Sequence, residues 1–175
     1  MTKRISMGTW AYCTGPRAER PVPWDEVLQH LDESGLDGFE LGGVAPHPTP
    51  RSLDNKDKRD EARSAWESRG LGCSGFAPDF SGHKLITTLD TKPYIAAFDK
   101  HARFCEELGI DVIRVDTLEP PGVLGEITGE RPEPVVVAVS DAMKRLVATW
   151  KECTKIAADL GVRVVWELSP DRALN

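Results

Sequence analysis

IAADLGVRVVWELSP, residues 156–170, passes from a helical pattern through Gly161 into the apolar run Val162–Trp166, which ends on a carboxylate, Glu167, and a Ser-Pro turn. An ionised acid at the end of so apolar a strand needs a partner, a proton or a metal to offset its lost hydration. The same grammar occurs three more times, in LDESGLDGFELGG (31–43), WESRGLGCSGFAP (66–78) and FCEELGIDVIRVDT (104–117). In each, a glycine (Gly35, Gly70, Gly109, Gly161) stands where a helix C-cap calls for a left-handed residue, and a strand follows. These are helix-to-strand joints.

With the first apolar run, Ile5–Trp10, the pattern predicts strands near 5–10, 36–41, 71–76, 110–115 and 162–167, with helices between them. Pro23 and Pro93 suit first helical turns. Tyr94, Phe98, Ala102, Cys105 and Leu108 recur at helical spacing, as do Val139, Met143, Leu146, Trp150, Cys153, Ala157 and Leu160, and both stripes read as core faces. The segment near 55–69, where Ala62, Ala65 and Trp66 stand among charges, reads as a helix mostly facing water.

Alternating strands and helices with right-handed crossovers give a parallel α/β sheet, either doubly wound or a (β/α)8 TIM barrel. Strand phase favours the barrel. Arg114 shares a side with Asp116, and Arg163 with Val165 and Glu167, while Ile113, Val115, Val164 and Trp166 point the other way. Charged side chains are accepted inside a barrel near its C-terminal mouth, but seldom beneath covering helices. A doubly wound sheet would also need a helix over the fifth strand, and only eight residues follow Glu167. The expectation is therefore one domain over residues 1–175 holding about the first five βα units of a TIM barrel, a truncated set.

The composition of the 175 residues is ordinary for a globular protein, 40% hydrophobic and 29% charged, with net charge −6. That acidity argues against nucleic acid or an anionic membrane as partner. The N-terminus lacks a signal-peptide core and no apolar run spans a bilayer, which points to a cytoplasmic protein. Four cysteines without a C-x-x-C pair read as reduced thiols. No P-loop, no G-x-G-x-x-G after a strand, no G-x-S-x-G and no H-E-x-x-H occurs, which counts against nucleotide, hydrolase and zincin readings.

Ligands of parallel α/β folds bind beyond the carboxyl ends of the strands. There the sequence places Trp10, Glu40, Pro78-Asp79, Asp116 and Glu167, three of the five ends being acids. Each acid has a plainer reading as a cap, a loop solvator or a partner for Arg114 or Arg163. Glu167 is the hardest to explain that way, since its Leu-Ser-Pro turn supplies no cation. His30 and His101 fall within helices and read as structural. His47 and His83 lie in loops after the second and third strands, where an imidazole can bond a substrate hydroxyl or serve as an ordinary surface residue; His83 is the preferred contact. Trp10 and Phe80 are candidate apolar walls of a sugar-sized pocket, and the Pro- and Gly-rich loop Leu118–Pro134 is a candidate lid over the rim.

ISMGTWAY, GLDGFELGG, LGIDVIRVDT and ADLGVRVVWELSP, in this order and spacing, resemble the xylose-isomerase-like superfamily of sugar isomerases and epimerases, which also contains inosose dehydratases and endonuclease IV. The resemblance implies a divalent metal (Mn, Mg, Co or Zn) held by two glutamates, an aspartate and a histidine. Glu167 matches the glutamate closing strand five, and the other three ligands come from strands six to eight, outside this sequence. It implies Glu167 as both metal ligand and one of the two catalytic acid/base groups; Trp10, Glu40, His83 and Asp116, from their places at the rim, are the candidate substrate-binding residues. The expected activity is isomerisation or epimerisation of a small sugar or polyol by carboxylate-mediated proton transfer through an enediolate. The alternatives are dehydration of a keto-inositol and, from a different class, a non-catalytic sugar-binding half-barrel that associates as a homo-oligomer through its open edge. Endonuclease chemistry ranks last, since this chain shows no basic DNA-binding face.

Overall fold

The computed structural model describes residues 3–124, 137–167 and 174. Within them five parallel strands, β1 (Ser6–Gly8), β2 (Gly38–Gly43), β3 (Gly72–Pro78), β4 (Val112–Val115) and β5 (Arg163–Trp166), lie in the order β1-β2-β3-β4-β5. They alternate with α1 (Trp24–Glu33), α2 (Lys56–Glu67), α3 (Lys92–Leu108) and α4 (Val139–Asp159). Sequential neighbours throughout, all parallel, are the strand order of a TIM barrel rather than of a doubly wound sheet, whose order reverses at a switch point.

The four joints share one geometry. Gly35, Gly70, Gly109 and Gly161 have φ of 67°, 73°, 70° and 68°. In each, the N–H of the next residue reaches back five positions: Leu36 to the Leu31 carbonyl, Leu71 to Trp66, Ile110 to Cys105 and Val162 to Ala157, at 2.8–3.2 Å. This is the Schellman closure, and a side chain at the glycine would meet the steric penalty of the left-handed region.

Strand β1 is shorter than the 5–10 expectation. The Gly42 N–H donates to the Thr9 hydroxyl at 2.8 Å, and Thr9–Tyr12 turns into a 3-10 helix. The side chain of Thr9 takes the place of a ladder carbonyl, so Trp10 leaves the strand direction.

Alternation along the strands separates two environments. Phe39, Leu41, Phe76, Ile113 and Val115 face the helices and are buried in one core with Val27, Leu28 and Leu31 of α1, Trp66 of α2, the Tyr94-Phe98-Ala102-Cys105-Leu108 stripe of α3, and Leu146, Cys153 and Ala157 of α4. Arg114 and Glu40 lie on the opposite, interior face. Only Trp66 of α2 is fully buried, as a water-facing helix requires. The α4 stripe is a core face only from Leu146 onward: Val139 and Met143, in the first turns of the helix, are 53% and 37% exposed. Phe80 likewise belongs to the core and not to a pocket wall, being 1% exposed against Tyr94 and His101. The four cysteines are free thiols. Of the loop Leu118–Pro134, residues 125–134 lie outside the described residues, as does the Leu168-Ser169-Pro170 turn. No described helix is long and apolar enough to cross a membrane.

Candidate functional site

The C-terminal ends of β1, β2, β4 and β5 bring four side chains together. Gly8 pairs with Glu40 across β1 and β2, and Arg114 pairs with Val165 across β4 and β5, which sets Glu167 two residues further along the same face. The Glu167 N–H continues the ladder to the Val115 carbonyl at 3.1 Å. Trp10 folds back along the glycines of the rim. A Cβ at Gly8 would come within 2.2 Å of the indole, and one at Gly42 within 3.1 Å of the Trp10 amide nitrogen. Glycine at these two positions is what lets the ring lie against the sheet.

Arg114 is the centre of this cluster. Its guanidinium carbon stands 4.5 Å from the centroid of the Trp10 ring, its Nη1 donates to Glu167 Oε2 at 2.8 Å, and its Nε is 3.5 Å from Glu40 Oε1. Aromatic face and carboxylates both favour a guanidinium, whose planar fork engages them together. The arginine side chain is 16% exposed, against 23% for Glu40 and 39% for Glu167. Burial pushes the Glu40 carboxyl above its ordinary range; Arg114 pulls it down and the Glu167 charge pushes it up again. Two acids thus share one cation, and Glu40 is the more enclosed of the two.

Glu167 therefore does have a cation, but on β4 rather than in its own turn. Arg163, the other candidate partner, pairs with Asp111 at 3.0 Å, both side chains well exposed. Asp116 follows β4, half-buried, and its charge adds to the upward push that burial exerts on the Tyr94 hydroxyl. His83 is half-buried in the turn after β3, its N–H donating to the Phe80 carbonyl at 2.8 Å. Among the described residues it makes no side-chain hydrogen bond or ion pair with Glu40, Arg114 or Glu167. The structure thus gathers Trp10, Glu40 and Glu167 around Arg114.

His47 is fully buried; its Nε2 lies 3.0 Å from the Val22 carbonyl and its ring packs on Trp24. A carbonyl only accepts, so Nε2 carries the proton, and burial holds the ring neutral. His101 is half-buried, its ring against Phe76 and Phe80 and bonded to the Ala97 carbonyl, and His30 on α1 bonds the Tyr12 hydroxyl at 3.0 Å.

A residue that the sequence did not single out braces the rim. Glu119, just after β4, accepts the amides of Leu85 and Thr87 at 2.7 and 2.8 Å, together with the Ile86 amide and the Thr87 hydroxyl. Burial pushes this carboxyl up, but the Thr87 hydroxyl and the three amides outweigh it and hold it below the usual carboxylate range. Arg145 of α4 donates to the Ile86 carbonyl from the other side. Backbone partners 32–34 residues upstream leave no mark in a sequence pattern.

As a metal ligand Glu167 has the donor chemistry that a hard divalent ion takes, a half-exposed carboxylate on the interior face, but Arg114 already pairs with it at 2.8 Å. Among the described residues no group of three or more His, Cys, Asp or Glu side chains is placed to hold a metal, so Glu167 would be one contributor to such a site.

The fold has solved counterparts. A 3-keto-D-glucoside 4-epimerase from E. coli superposes with TM-score 0.65 at 16% identity, over 99% of this chain and 59% of its own. The IolI protein with a bound zinc atom gives TM-score 0.65 at 14% identity over 97% and 54%. A probable 3-DHS dehydratase from Bacillus anthracis gives 0.64 at 14% over 97% and 54%. The chain thus spans little more than half the length of these structures. Comparison with curated protein sequences yields no match. Residues 28–175 match the profile described as the xylose isomerase-like TIM barrel, and with the strand order and the charged mouth already in place, the chain belongs to that family.

Proposed function

We propose that this chain carries the first half of the active site of a metal-assisted isomerase or epimerase acting on a small sugar or polyol. The observation that supports this reading is the convergence of Glu40 and Glu167 on Arg114 above Trp10, at the strand ends where TIM barrels do their chemistry. Isomerisation of a keto sugar moves a proton between neighbouring carbons. Glu167, the more exposed carboxylate, removes the proton from the carbon beside the carbonyl, leaving an enediolate. A proton is then delivered to the former carbonyl carbon while the hydroxyl proton passes between the two oxygens, which completes an isomerisation, or a second acid delivers a proton to the opposite face of the same carbon, which completes an epimerisation. A divalent ion, when bound through Glu167, would supply charge stabilisation to the two neighbouring substrate oxygens. Trp10 offers an aromatic wall for the sugar, while Glu40, Asp116 and His83 are the remaining candidates for its hydroxyls.

Dehydration of a keto-inositol is the second reading. It is favoured by Glu40, whose raised affinity for a proton suits a group that protonates departing hydroxide. Product analysis on a panel of ketoses and inososes separates the two: a shifted carbonyl or inverted centre marks the first, and loss of water the second. Glu167→Ala is expected to lower turnover at least about 100-fold, the usual scale of a general acid-base group. Unchanged turnover in that variant would sink the assignment.

A further inference from the structure

We propose that His47 is a proton-sensitive pin: as a neutral imidazole it ties the turn after β2 to the entry of α1, and a second proton on its ring frees both. The device is independent of the chemistry proposed for Glu167. His47 is fully buried, and its Nε2–H donates to the Val22 carbonyl at 3.0 Å. Nδ1 is buried too, on a ring packed against Trp24, and has no hydrogen-bond partner among the described residues. In the neutral ring only an acceptor goes unused there. The protonated ring carries a charge and a second N–H that meet neither water nor acceptor, so it gains the proton by leaving its place. Burial accordingly holds its proton affinity down, against the opposing pull of the Val22 carbonyl. Asp25 and Glu26 in the first turn of α1 and Arg51 on the loop of His47 are exposed, and none bonds the ring. The Cys13 thiol, 4.0 Å from the carbonyl of Val44 in the same turn, stays neutral because burial pushes it up. The pin reaches the mouth through one further bond. The Val22 N–H donates to the Tyr12 carbonyl at 2.9 Å, and Tyr12 closes the 3-10 turn that carries Trp10 against Arg114. Acid thus loosens the aromatic wall from behind.

Nuclear magnetic resonance of the isotopically labelled full chain between pH 8 and pH 5 tests the pin without any turnover. The His47 ring is expected to titrate below the ordinary histidine range, and the Trp10 indole N–H to shift with the same midpoint. Over that step the protection of the Val22 amide against exchange should fall at least about fivefold, the scale of one lost hydrogen bond. His47→Gln, whose side-chain amide still offers a donor to the Val22 carbonyl but takes no proton, should hold both signals constant. His47→Asn carries the same test should that variant fail to fold. His30 bonds the Tyr12 hydroxyl at 3.0 Å and is the rival source of a response at Trp10, so the response should survive His30→Gln. A His47 ring that stays neutral down to pH 5 overturns the proposal. So do Trp10 and Val22 signals that ignore the His47 midpoint, keep their pH dependence in His47→Gln, or lose it in His30→Gln.

Discussion

Glu40 shows how a single residue can hold a function-like state at a cost to stability. Burial and the Glu167 charge raise its proton affinity more than Arg114 lowers it. A carboxyl whose folded pKa lies above its unfolded value binds its proton more tightly in the folded state. Its contribution to stability therefore grows as pH falls through the folded pKa and is least favourable above it. Glu40→Gln is expected to be more stable than the parent at pH 8, by less than about 1 kcal/mol, the scale of a partly exposed ionic interaction, and the difference should shrink toward pH 5. Melts across that range check it; a difference that widens on acidification would contradict the sign. Arg114 keeps Glu167 as a partner in this variant, so no buried charge is left alone.

At the scale of elements, the rim depends on loops tied to one another as much as on the strands. Glu119 binds the segment Leu85–Thr87, between β3 and α3, to the exit of β4, and Arg145 anchors the same segment from α4. Glu119→Gln replaces an acceptor-only group by one that presents N–H to N–H, at an expected cost of about 1–3 kcal/mol near neutral pH. Because its folded pKa is depressed, the parent should hold this stability above the unfolded value of about 4.3 and lose it as pH falls through the folded one. Urea titrations at pH 7 and below pH 4 read both effects: a large gap between parent and variant at neutrality, closing in acid. A constant gap would mean that the carboxylate charge plays no part.

At the scale of the molecule, β1 and β5 are the outer strands of the sheet among the described residues, with apolar surface beside each. Met7 on β1, Val165 and Trp166 on β5, and Met143 and Val147 on α4 are each 37–43% exposed. Exposed apolar groups concentrated on an element with an unpaired flank favour association. The 175-residue chain is expected to sediment above a monomer's mass, and Met143→Lys with Val147→Glu to shift it back toward the monomer without altering the circular dichroism spectrum. Monomeric behaviour of the parent at tens of micromolar would refute this. Fold identity does not depend on the outcome, since the strand order and the family match are independent of assembly.

Local physics made much of this legible in the sequence. Glycine alone enters the left-handed region cheaply, so Gly35, Gly70, Gly109 and Gly161 announced four joints that the structure closes in one way. Two-residue periodicity assigned Ile113 and Val115 to the helical layer and Arg114 to the interior. The sequence by itself thus determined the unit, its repetition and the faces taken by the residues of the fourth and fifth strands, because those follow from neighbours a few residues apart. Only the tertiary structure decided who meets whom. Arg114 lies 74 residues from Glu40 and 53 from Glu167, and the strand register, not any motif, makes it their shared cation. Phe80, expected at a pocket wall, and Glu119, expected nowhere, were placed by packing and by backbone amides from distant segments, which side-chain patterns do not encode.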